Sequence, residues 1–102
     1  MKSGKAEKKP KRRDYRLFYE ALLAVRNIRE CEAFLKDLCT PAELEALADR
    51  WRAVRLLKAG KTYRQISQQT GMSVTTVGRV ARFIEFGNGG YQTIFQRTGG
   101  KK

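Results

Sequence analysis

The stretch Gly60–Ile84, GKTYRQISQQTGMSVTTVGRVARFI, holds two short helical patterns that meet at a single glycine. Thr62, followed three residues later by Gln65, has the capping-box spacing in which a hydroxyl and a side-chain amide satisfy the first free N–H groups of a helix. That helix runs through Ile66 and Gln69. Gly71 ends it where the chain must turn sharply, and glycine takes the left-handed conformation without strain. Ser73 is placed to cap the next helix, in which Val74, Val77, Ala81 and Ile84 form an apolar stripe expected to be buried. Counted from Gly71, Ile66 lies five residues before, Ser67 four before, Val77 six after and Val80 nine after. A small residue at Ser67 lets two helices cross closely, and the apolar positions hold them at a steep angle. This spacing predicts a helix-turn-helix over about residues 62–86.

The second helix has an outward face of Ser73, Thr75, Thr76, Gly78, Arg79 and Arg82. An ordinary surface helix would carry Glu and Lys there. Small residues at the N-terminal end suit a helix that enters the major groove of a duplex, which just admits one. Hydroxyls and the helix N-terminus suit phosphates or base edges, and Arg79 suits a guanine or a phosphate. Thr62 and Arg64, at the start of the preceding helix, complete the expected DNA-binding set. A plain solvated helix face is the alternative reading of the same residues.

The charge is distributed as a polyanion-binding surface requires. The 102 residues carry 22 Lys and Arg against 10 Asp and Glu, for a net +12. Residues 1–13 contribute +6, residues 14–49 contribute −4, and residues 50–102 contribute +10 with Glu85 as their one acid. Charge kept only for solubility has no reason to segregate in this way.

Several functional classes are excluded by composition. The longest unbroken apolar run is ALLAV at 21–25, far short of the ~20 residues that span a bilayer. No apolar segment follows the basic N-terminus, so no secretory signal is read there. The chain has no histidine, which removes Ser–His and Cys–His nucleophile pairs and His-based zinc sites. Cys31 and Cys39 read as small hydrophobes in a reducing cytosol. GNGG at 87–90 follows a helix rather than a strand, so it reads as a helix C-cap and turn rather than a phosphate loop. No enzyme, metal or membrane role is expected, and the localisation expected is cytoplasmic, with the nucleoid when bound to DNA.

The remainder is helical. MKSGKAEKKPKRR, residues 1–13, is almost devoid of apolar residues and is expected to be a disordered basic tail. Asp14 is expected to cap a helix whose stripe is Leu17, Phe18, Ala21, Leu22 and Val25. Asn27 is expected to cap a second, with Ile28, Cys31, Phe34, Leu35 and Leu38 on one side. The segment TPAE marks a third start, with Thr40 as N-cap, Pro41 at the first helical position and Glu43 closing the box. That helix runs to about Lys58 with Leu44, Leu47, Trp51, Val54 and Leu57 inward, and Gly60 ends it. The fold class expected is all-α, with a domain at 14–97 and a flexible end at 98–102. The apolar stripes before Gly60 exceed what one small core hides, so a homodimer is expected.

Residues 34–91 resemble the Trp-repressor-like superfamily. The elements DLCT, AGKTYRQI, TGMS and GNGGY are similar to those of its YerC/YecD branch, and with the preceding helices the resemblance covers about residues 14–97. It implies an all-α intertwined homodimer whose N-terminal helices supply the interface and whose helix-turn-helix heads face successive major grooves of double-stranded DNA. In Trp repressor two arginines flank the indole of the co-repressor; they fall on Arg50 and Arg79 here, so the resemblance allows L-tryptophan or another small effector. Three departures speak against it. The turn between Gly60 and Ile66 is one residue shorter, Asp37 and Cys39 replace apolar pocket positions, and Phe83 replaces a small hydroxyl residue. Arg50 is then free to pair with Asp37 or a neighbouring glutamate, and no cofactor is expected. The function expected is sequence-specific DNA-binding transcriptional regulation, as a repressor. The rivals are a nonspecific architectural or RNA-binding protein, suggested by KKPKRR, and a module that docks an acidic protein.

Overall fold

The structure, a computed structural model, describes residues 8–99 and holds six α-helices, with no strand among the described residues. They are α1 (Arg12–Leu23), α2 (Ile28–Leu38), α3 (Pro41–Lys58), α4 (Tyr63–Thr70), α5 (Val74–Phe86) and α6 (Gly90–Arg97). They divide into two compact units between Leu38 and Cys39.

In the first unit, α1 begins earlier than the sequence suggests. Lys11, not Asp14, occupies the N-cap position, and Asp14 Oδ2 accepts the Lys11 N–H at 2.9 Å. Asp14 therefore acts from the third helical position, where its charge also suits the positive end of the helix. A lysine ammonium has no lone pair, so the reciprocal bond of a full capping box does not form. Arg12 and Arg13 are thus helical, whereas the rest of the basic tail up to residue 7 lies outside the described residues. Asn27 caps α2 as expected: its Oδ1 accepts the Glu30 N–H at 2.9 Å, and Glu30 Oε1 accepts the Arg26 N–H at 3.0 Å. On the surface of α2, Lys36 Nζ donates to Glu32 Oε2 at 2.8 Å, which holds the Glu32 carboxyl below its ordinary pKa. Neither helix contains a buried residue. Leu17, Phe18, Leu22 and Ile28 are exposed, Ile28 by 85%.

The second unit has the core. Thr40 Oγ1 accepts the Glu43 N–H at 3.1 Å, and Glu43 Oε1 accepts the Thr40 N–H at 2.8 Å, closing the box that starts α3. Gly60, with φ +89°, follows its end. Helices α3, α4 and α5 pack on one another, and α6 packs on α5. Ala53 and Val54 of α3, Ile66 of α4 and Val77 and Val80 of α5 are buried, with Met72 from the turn. Trp51, Leu56, Leu57, Ile84, Tyr91 and Phe95 pack around them.

Three details differ from the sequence reading. Val74 is 48% exposed, because the inward stripe of α5 is centred on Val77, Val80 and Ile84 and Val74 lies at its N-terminal edge. Leu47, on the stripe of α3, is also exposed. The GNGG segment does more than end a helix: Gly87 caps α5, and Gly89, with φ +84°, opens the unforeseen helix α6. Tyr91 and Phe95 fall one turn apart on α6 and supply its inner face. The two cysteines are free and half-buried.

Candidate nucleic-acid interface

The turn between α4 and α5 is fixed by its own polar groups. Thr62 Oγ1 accepts the Gln65 N–H at 3.1 Å and Gln65 Oε1 accepts the Thr62 N–H at 2.8 Å, so α4 starts at a set place. At its far end Gly71 adopts φ +83°, and its N–H donates to Ser67 O at 2.9 Å. The Thr70 hydroxyl donates to Ile66 O at 2.7 Å and accepts the Met72 N–H at 3.0 Å, bridging the glycine. Ser73 Oγ accepts the Thr76 N–H at 3.0 Å and starts α5. Arg52 of α3 ties this assembly to its support, donating through Nη2 to Gln69 O at 3.2 Å. This helix pair is therefore held at the starts of both helices, at the turn and from behind.

Thr75, Arg79 and Arg82 fall at steps of four and three on α5 and are all exposed, so one face presents a hydroxyl and two guanidiniums. Arg82 Cζ lies 5.9 Å from the centre of the Phe86 ring, a cation–π contact at the C-terminal end of that face. Arg64 is exposed on α4. The other expected residues have additional duties. The Ser73 hydroxyl donates to Thr76 Oγ1 at 2.9 Å, so these two side chains are paired with each other. Thr76 is half-buried and turns toward α3, where it lines a cleft of about 390 Å³ with Arg50, Arg79, Val80, Phe83 and Tyr91. Gly78 is half-buried beside the Tyr63 ring. Tyr63 itself is absent from the expected set; the one sequence signal for it was its position directly after the Thr62 cap.

Arg50 and Arg79 thus come to one cleft, as the resemblance implies. Among the described residues the two ion pairs, Arg16–Glu20 and Lys36–Glu32, lie within single helices and leave Arg50 out. A second hollow of about 490 Å³ is walled by Trp51, Phe83, Asn88, Gly90, Tyr91 and Ile94, with the Trp51 and Tyr91 rings 6.3 Å apart.

Residues 13–99 match the family model described as Trp repressor protein. The chain belongs to the Trp repressor family. It is 37% identical over 79 residues to the uncharacterised protein YerC of Bacillus subtilis (strain 168), covering 78% of this chain and 76% of that protein. Its fold is similar to the crystal structure of a TrpR-like protein from Eubacterium eligens ATCC 27750, with a TM-score of 0.81 and 30% identity over 95% of this chain and 96% of that one. A Staphylococcus aureus protein solved as a candidate Trp repressor matches with a TM-score of 0.80 and 34% identity, covering 86% of this chain and 88% of that chain. The all-α helix-turn-helix architecture is therefore that of a DNA-binding regulator family. In this family member the two guanidiniums of the 390 Å³ cleft suit a carboxylate. Phe83 contributes an aromatic ring to the wall of the same cleft. Among the described residues no helix is long and apolar enough to cross a membrane, and no group of three Cys, Asp or Glu is placed to hold a metal.

Proposed function

We propose that this protein is a sequence-specific DNA-binding transcriptional repressor that acts as a homodimer and needs no co-repressor. The observation that carries the reading is the face of α5, where Thr75, Arg79 and Arg82 stand exposed on a helix whose start is fixed by Ser73. Such a helix, with small residues toward its N-terminus, fits a major groove, and its arginines suit guanine edges or phosphates. Thr62 and Arg64 then face the sugar–phosphate backbone. Acting on the chromosome, the protein would work in the cytoplasm, at the nucleoid.

A two-fold dimer presents two such heads, so the preferred duplex is an inverted repeat with half-site centres about one helical turn, ~10 bp, apart. With few bidentate side chains on α5, discrimination is modest and partly carried by water and DNA shape. Selection of bound duplexes from a random pool tests this. A dyad is expected, and the same dyad with and without added L-tryptophan. Selected sequences without a dyad contradict it, and a dyad that emerges only with tryptophan would make the Arg50–Arg79 cleft an effector site.

The homodimer rests on the apolar surface of the first unit. Leu17, Phe18, Leu22, Ile28 and Leu38 are all exposed in a single chain, more apolar surface on two short helices than a monomer ordinarily leaves in water. Folding and association are then linked, and the thermal midpoint rises with protein concentration. A midpoint independent of concentration, together with a monomer by light scattering at micromolar protein, contradicts the dimer.

The exposed cations Lys8, Lys9, Lys11, Arg12 and Arg13 favour a second reading, a nonspecific architectural or RNA-binding protein, because such a cluster reads charge rather than sequence. A footprint indifferent to sequence would decide for it.

A further inference from the structure

Gly78 lies in the middle of α5 with ordinary helical backbone, so its residue type is not required by the main chain. Glycine at such a place costs about 1 kcal/mol relative to alanine. The Tyr63 ring lies against Gly78, and a Cβ there would meet that ring at ordinary van der Waals distance. A Cβ on Gly78 would stand 3.4 Å from Cε2 and 3.9 Å from Cδ2 of Tyr63, whose side chain crosses from the first turn of α4 to the flank of α5. Gly78 is one turn from both Thr75 and Arg82. The ring is therefore seated at the edge of the exposed face that those residues form, and Tyr63 remains 44% exposed. Around it on the chain stand Lys61, Thr62 and Arg64, all exposed and all suited to a phosphate.

We propose that Tyr63 is a further DNA-contacting residue, whose hydroxyl donates to a backbone phosphate beside the groove that α5 enters, its ring packed against α5 at Gly78. The proposal rests on the reading of α5 as the recognition helix. A phosphate, rather than a base, is the acceptor because the first helix of a helix-turn-helix crosses the DNA backbone while the second enters the groove. A phenol on a packed ring has only two side-chain torsions to immobilise, so it holds its donor in place at low entropic cost. It adds no charge, which gives it a signature different from that of the lysines and arginines.

The test compares the full-length protein with Tyr63→Phe, Tyr63→Ala and Arg79→Ala, titrated against a selected duplex and a scrambled one at several salt concentrations. Tyr63→Phe keeps the ring on Gly78 and removes only the donor. It is expected to weaken binding to both duplexes on the order of 10-fold, the loss of one hydrogen bond to a charged group. The salt slope is expected to stay as in the parent, because no cation is lost, and the melting curve to stay unchanged. Tyr63→Ala is expected to bind at least as weakly as Tyr63→Phe. If Tyr63→Phe binds both duplexes as the parent does while Arg79→Ala loses the selected one, Tyr63 is only a packing residue and the proposal falls, with the recognition helix left standing. A loss confined to the selected duplex overturns the phosphate assignment. If the parent protein binds neither duplex, the proposal and the reading beneath it fall together.

Discussion

Ile66→Ala is expected to remove about 2–5 kcal/mol from the stability of the second unit, the range for truncating a large aliphatic side chain in a packed core. Ile66, Val54 and Val77 are the largest fully buried side chains, one from each of α4, α3 and α5. They meet where α4 and α5 rest on α3, so the cavity left by alanine opens at the junction of three elements and has no single neighbour able to fill it. Whole-domain stabilities are about 5–15 kcal/mol, so the loss is a large fraction of the total. At roughly 4–8 °C per kcal/mol for a chain of this size, the melting midpoint falls by about 10 °C or more. Gln68→Ala, on the exposed side of the same helix, is expected to change stability by less than ~0.5 kcal/mol. Equal melting curves for the two variants would contradict the placement of the core.

The second large effect is electrostatic. Deleting residues 1–10 removes four lysines and Glu7 but spares Lys11, whose N–H bonds Asp14 at the start of α1. Each neutralised phosphate releases counterions, so the log–log salt slope is expected to fall by about 3, with affinity at low salt reduced roughly 100-fold or more. The factor is expected to be the same for every duplex, because lysine ammoniums that neutralise phosphates carry no base-edge code. Titration of the shortened protein from low to moderate salt reads both quantities. A shortened protein with the parental salt slope would show that the tail touches no DNA.

The parts of this molecule that were legible in the sequence are those fixed by local chemistry. Thr40 with Glu43, Thr62 with Gln65, Gly71 and Ser73 each act within three or four residues, and each occupies the position its spacing predicts. The illegible parts depend on partners distant in the chain. Gly78 reads as a small residue facing a groove until Tyr63, fifteen positions earlier, is found against it. Thr76 reads as outward until the cleft places it with Arg50 from α3. Local rules also failed where two of them competed. Asp14 has the residue type of an N-cap, yet its carboxylate serves α1 better from inside the first turn, reaching back to Lys11. In GNGG the sign of a helix end hid a helix start, because glycine at 89 serves a left-handed N-cap as readily as a C-cap. Tyr91 and Phe95 carried the helical period that could have shown it.

As proposed, α5 reads duplex DNA with Arg79 at the centre of its exposed face. The measurement that tests it most directly is the ratio of affinities for a selected and a scrambled duplex, taken for the parent protein and for Arg79→Ala. Loss of a base-reading arginine is expected to cost about 1–3 kcal/mol on the selected duplex and less on the scrambled one, so the ratio falls. If Arg79→Ala weakens both duplexes equally while deletion of the tail abolishes the preference, the reading head is not α5.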